Sequence, residues 1–200
     1  MGEATRRKAE IERMRVINAE WQATLSPEQK TIASVAQTTY NKLVCEYGIT
    51  EGCYILSFFL YEYLRRKHKF HVQIVVGWVN DGLWDGASSH AWVEYEGKKI
   101  DIALHKTSYP EQQPPGDLLI LDHIFKRGKV CYKYFYSIPK EMMTALENKK
   151  ASSELRVLIE RKEQEHQRIQ TLSKTPEGVN EYFRSAPSHC KYEVLADAID

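Results

Sequence analysis

The sequence predicts an α+β protein in which helices pack on one face of a small antiparallel sheet. Three observations lead there. Apolar residues recur at helical spacing through the first 64 positions, period-two alternation with β-branched residues takes over from His71, and helical composition returns from Ser152. A chain of 200 residues with 42% hydrophobic content can bury one good core plus appendages. The expected organisation is therefore one domain over 1–200, with N-terminal helices at 1–48, a central core at 49–139 and a helical extension at 140–200.

Taken in order, residues 3–23 read as an amphipathic helix through Ile11, Met14, Ile17 and Trp21. A second helix is marked by Ser26-Pro27-Glu28-Gln29, which supplies an N-cap, a proline in the first turn and a capping-box glutamine. Its apolar stripe runs through Ile32, Val35, Ala36, Tyr40, Leu43, Val44 and Tyr47 and stops at Gly48. The third helix opens at Cys53. From Ile55 to Leu64 it is apolar almost all round, which describes burial on most sides and leaves its first turn as the part that faces an opening. At that start, free N–H groups and the positive dipole end favour negative charge on the Cys53 sulfur, and Gly52 permits close approach of backbone or substrate.

Residues 71–79 then form a strand rich in valine and isoleucine, followed by a Gly/Asp/Ser loop at 80–89 that carries Trp84. Residues 90–95 alternate, and 98–104 follow as a second strand after Glu96-Gly97, a two-residue turn. With that turn Tyr95 faces Lys98 and Trp92 faces Asp101, so His90 and Asp101 become diagonal neighbours on one sheet face. A three-residue turn would place them on opposite faces. Residues 105–117 are a proline-rich connection, Leu118–Phe125 is an apolar segment, and Lys129–Ser137 alternates as a further strand with several tyrosines. Ser152–Leu172 is helical, but its apolar seam (Leu155, Leu158, Ile159, Ile169, Leu172) is interrupted by Lys162 and Glu165, as in an exposed arm or a helix that meets a protein partner. Thr175-Pro176-Glu177 starts one more short helix, which Ala186-Pro187 ends.

A cysteine at a helix start, a histidine on a strand and an aspartate on the next strand are the nucleophile, base and orienting carboxylate of thiol catalysis. Singly, a buried cysteine or a strand histidine is an ordinary packing residue; the ordered trio Cys53, His90 and Asp101 is expected to be catalytic. Asp85, in the glycine-rich loop, is the less rigid alternative to Asp101. Around the trio, Tyr47, Thr50, Gly52, Trp84 and Trp92 form the expected oxyanion- and substrate-binding set. Within it Tyr47 or Thr50 would donate to the oxyanion, although the apolar stripe also reads Tyr47 as a core ring. Trp84 either forms a substrate lip or seals the hairpin edge, and Trp92 packs beside Asp101 and keeps water from the ion pair.

The segment Gly52–Ala103 resembles the core of the transglutaminase-like superfamily, rearranged relatives of papain. The matching elements are Gly52-Cys53, the hydrophobic helix Ile55–Leu64, the strand Val72–Gly77, His90-Ala91-Trp92-Val93-Glu94 and Ile100-Asp101. The resemblance covers about a quarter of the chain. It implies a papain-like fold and acyl chemistry on an amide or ester of a protein or peptide, through a thioester on Cys53, as in peptidases, deamidases and transglutaminases. The contrasting expectation is a catalytically silent module that keeps this fold and binds a protein partner.

The formal net charge of +1 carries no general signal for nucleic acid or for an anionic membrane. Near the start, Arg6, Arg7, Lys8, Arg13 and Arg15 alternate with Glu10 and Glu12, as on a solvated helix face. No stretch has the length and apolarity of a membrane span, and the charged start lacks the apolar segment of a signal peptide, so the expected location is the cytosol, with export by a route without a cleaved signal left open. Cys45, Cys53, Cys131 and Cys190 lack paired spacing and are expected as free thiols. None of the seven histidines sits in a metal-motif spacing, so neither a metal nor a cofactor is expected.

Overall fold

The computed structural model describes residues 3–151 and 153–200, without the side chains at 3, 4, 6, 7, 153 and 154. The expected contributions of Arg6 and Arg7 to a charged face, and of Ser152 to a helix start, therefore lie outside the described residues. The fold is α+β, with helices joined to a curled antiparallel sheet. In chain order come α1 (Glu3–Thr24), α2 (Pro27–Thr39), a π-helix (Tyr40–Glu46), α3 (Cys53–His68), β1 (Gln73–Asn80), β2 (Ser88–Tyr95), β3 (Lys98–Asp101), β4 (Leu118–Ile120), β5 (His123–Lys126) and β6 (Lys133–Phe135). Then follow α4 (Lys140–Lys150), α5 (Ser153–Leu172), α6 (Pro176–Ser185), a 3₁₀ turn (Ser188–Cys190) and α7 (Tyr192–Ile199). The sheet order is β5-β4-β3-β2-β1-β6.

The N-terminal helices differ from the periodicity in instructive ways. In α1, Ile11 is half exposed, and the helix instead meets the sheet edge through Trp21, stacked on His123 at 4.2 Å, and through Asn18, which donates to the Phe125 carbonyl. The capping box of α2 forms as expected: Ser26 Oγ accepts from the Gln29 N–H and the Gln29 side chain accepts from the Ser26 N–H. Beyond Thr39 the helix widens into π geometry. Each i→i+5 turn delays the register by a residue, so the stripe through Tyr40, Leu43 and Val44 passes next to Ile49, which joins the core. Tyr47 is left 61% exposed.

Helix α3 is the buried centre. Leu56, Phe58, Phe59, Leu60 and Leu64 are essentially inaccessible, and even Glu62 is fully buried, held by Arg65 and Arg66. Burial alone would raise the Glu62 pKa; the two guanidinium groups outweigh it and lower it. The helix packs on β1 and β2, against the Ala91, Val93 and Tyr95 face of the latter. One hydrophobic cluster links α2, α3, the sheet, Ile169 and Leu172 of α5, Val179 and Phe183 of α6, and α7.

The β2–β3 hairpin has the expected register, Tyr95 opposite Lys98 and Val93 opposite Ile100. Glu96 and Gly97 both take positive φ (51° and 74°), the primed two-residue turn that matches strand twist. Strand β3 is shorter than the alternation suggests and stops at Asp101. The apolar segment 118–125 is itself a hairpin, because Leu121 and Asp122 take positive φ (54° and 62°) between β4 and β5. On the far face from α3, Gly77 lets the sheet curl: a Cβ there would lie 2.4 Å from the Phe135 carbonyl oxygen and 2.8 Å from the Trp92 ring. Strand β6 can thereby bring Tyr134 and Tyr136 over β2.

Candidate active site

The hairpin parity places His90 and Asp101 together. His90 Nε2 lies 2.6 Å from Asp101 Oδ2, and both side chains are almost fully buried. Asp101 has two further donors, the Ala103 N–H to Oδ1 (2.9 Å) and the Tyr134 hydroxyl to Oδ2 (2.8 Å). Burial alone would raise the Asp101 pKa, but the charge and hydrogen bond of His90, with the Ala103 and Tyr134 bonds, lower it. For His90, burial would lower the pKa. The charges of Asp101 and Cys53, and hydrogen bonds to both, overcome it and raise the pKa to about 10. Because Nε2 is engaged by Asp101, Nδ1 is the nitrogen left for Cys53.

Cys53 is the first residue of α3, where the N–H groups of the opening turn have no acceptor within the helix. It lines a cleft of about 480 Å³ together with His90, Tyr54, Trp78 and Ala103. Just before it, Glu51 adopts a left-handed conformation (φ 56°) and lines the same cleft. All four cysteines are unpaired.

The surrounding set is placed unevenly. Trp84 lines the cleft, with Lys149 of α4 over its ring at 4.1 Å, and its loop is tied by Asn80, whose amide donates to the Trp84 and Gly86 carbonyls. Trp92 is fully buried and touches no opening: its ring lies against His90 and edge-on to Tyr134 at 5.2 Å, and its Nε1 donates to Glu94. Trp92 thus shields the pair and is removed from the substrate-contacting set. At Gly52 a Cβ would meet Ile49 at 2.7 Å and Ile55 at 2.9 Å, so the close approach its smallness permits includes side chains of its own chain. Tyr47 leaves the set because the π-helix turns it to solvent, where it is neither a core ring nor a cleft residue. Thr50 is outside the cleft, with its hydroxyl engaged by Ser108. Asp85 is exposed and takes no part in holding His90.

Several residues in and around the cleft escaped the sequence reading. Tyr134 belongs to the alternating Tyr132, Tyr134, Tyr136 series, a period-two signal that a strand presents one face here. A hydrogen-bonded chain joins Tyr54 to Ser89 and Ser89 to His166 of α5, whose ring packs on Trp78 at 4.4 Å. Burial lowers the His166 pKa. Helices α4 and α5 supply the outer wall through Leu146, Leu155, Leu158, Ile159 and Lys162. No local pattern ties residues so far along the chain to Cys53.

Among the described residues, no three His, Cys, Asp or Glu side chains converge as a metal-holding group, and no helix is long and apolar enough to cross a membrane. No family model, curated protein or solved structure matches the chain.

Proposed function

We propose that the protein is a cysteine-dependent acyl-transfer enzyme of transglutaminase-like, papain-related design, acting on amide bonds of a protein or peptide. The observation that carries the reading is the buried His90–Asp101 pair, which leaves the other ring nitrogen of His90 free in a cleft that it lines together with a cysteine at a helix start. His90, whose raised pKa keeps it charged, holds the proton given up by Cys53, and Sγ forms a bond to the substrate carbonyl carbon while the oxygen gains charge beside the first-turn N–H groups. The C–N bond then breaks, with the proton on His90 going to the departing nitrogen and the acyl group held as a thioester. Water, or an amine, gives a proton to His90 as it attacks the thioester carbon, and the Cys53 thiolate leaves. Asp101 fixes the ring tautomer and balances the imidazolium.

The test is alkylation by iodoacetamide at pH 7, followed by mass spectrometry at each cysteine. Cys53 is expected to react at least about 100-fold faster in the native protein than in His90→Ala, the scale of base assistance. A Cys53 rate equal to that of exposed Cys45 and indifferent to His90 would remove the enzymatic reading and leave a binding module.

A further inference from the structure

The apolar seam of α5 has two fates. Ile169 and Leu172 are buried in the core, whereas Leu155 and Leu158, 43% and 49% exposed, stand in the wall of the Cys53 cleft. Trp84 and Ala87 of the loop before β2, and Leu146 of α4, line the same cleft. Half-exposed leucines in a concave wall are the signature of a ligand surface, because a lone apolar helix face gains nothing from water contact.

The groove and the reacting pair share one cleft. The groups that can reach the groove are the two sides of the amide that Cys53 attacks and, in the second step, an acceptor amine. Of the two sides, the amine side departs in the first step and the acyl side stays through both. Charges border this surface without replacing it: Lys149 sits over the Trp84 ring, and Lys162 is exposed at the rim. A charged substrate group placed among Leu155, Leu158 and Ile159 would lose water, and the charges that line the cleft, Lys149 and Lys162 against Glu163 and Glu165, are of both signs and select neither an acid nor a base.

We infer that the groove between α5 and the Trp84 loop is an acyl-side specificity pocket, selecting amides whose acyl group carries a bulky aliphatic or aromatic side chain. The inference rests on the acyl-transfer reading and adds its substrate class. Specificity is then set by the C-terminal helices, while the reacting groups come from α3 and the β2–β3 hairpin.

The probes are N-acetylated leucyl, phenylalanyl, aspartyl and lysyl chloromethyl ketones, in which thiolate displaces chloride and forms one S–C bond. Labelling of Cys53 is followed by mass spectrometry, each rate being divided by that of iodoacetamide. Leucyl and phenylalanyl probes are expected to label at least about tenfold faster than the charged ones, the effect of burying one large apolar side chain. The double variant Leu155→Asn, Leu158→Asn, which removes the apolar wall without adding charge, should bring the four normalised rates close together. The wild-type comparison decides the matter even if that variant folds poorly. Equal probe rates with fast, His90-dependent iodoacetamide labelling overturn the pocket and leave the acyl-transfer reading standing. Slow labelling by every reagent overturns both.

Discussion

At the scale of single residues, the His90–Asp101 pair makes a pH prediction with a definite sign. The His90 pKa rises to about 10 in the folded protein, so its stabilising contribution is complete below the unfolded value of about 6.5 and is lost as pH climbs toward 10. The Asp101 pKa falls on folding, so its contribution is complete above an unfolded value of about 3.9 and is lost as pH drops through the lowered one. The stability difference between wild type and Asp101→Asn, measured by urea unfolding, should therefore be largest between about pH 4 and 6.5, on the order of a few kcal/mol, and shrink on both sides. A difference that grows from pH 7 to 10 would contradict the ion pair. Much of this pair was legible because a strand alternates with period two and Glu96-Gly97 sets the turn length. Tyr134, the third member, was not. Its approach depends on how far the sheet curls, a tertiary quantity that no local pattern carries.

At the scale of elements, the curl depends on Gly77. Replacing it by alanine sets a methyl group against the Phe135 carbonyl and the Trp92 ring, so β1 and β6 must separate. Gly77→Ala should cost about 1–3 kcal/mol in urea unfolding and slow Cys53 alkylation, since Tyr134 is drawn away from Asp101. An unchanged stability would mean that β6 does not lie so close. The elements also mark the limits of periodicity. The capping box of α2 was legible because its chemistry is local; the π-helix after it was not, as an i→i+5 turn uses the same residue types. The β4–β5 hairpin was hidden because Leu121-Asp122 turns with positive φ and no glycine. The apolar surround of α3 did predict its burial, as hydrophobicity on all sides has few other outcomes.

At the scale of the whole molecule, α5 is one helix with two duties, and substitutions along it should separate them. Ile169→Ala removes volume from a fully buried site and should cost about 2–5 kcal/mol in urea unfolding, whereas Leu158→Ala at the cleft wall should cost under about 1 kcal/mol. Similar costs at both positions would mean that the cleft end is core as well. The break at Lys162 and Glu165 is where the helix passes from one duty to the other, which the sequence displayed as an interrupted seam without indicating what each half faces.

The order of chain synthesis adds a consequence to this arrangement. His90 and Asp101 are 11 residues apart on a hairpin, whereas Ser89 and its partner His166 are separated by 77 residues. At roughly 5–20 residues per second, Asp101 completes the base–carboxylate pair about 3–13 s before His166 emerges on the helix that lines the outer side of the cleft. On the acyl-transfer reading proposed above, a growing chain gains the groups that activate the thiol before the helix proposed to choose among substrates.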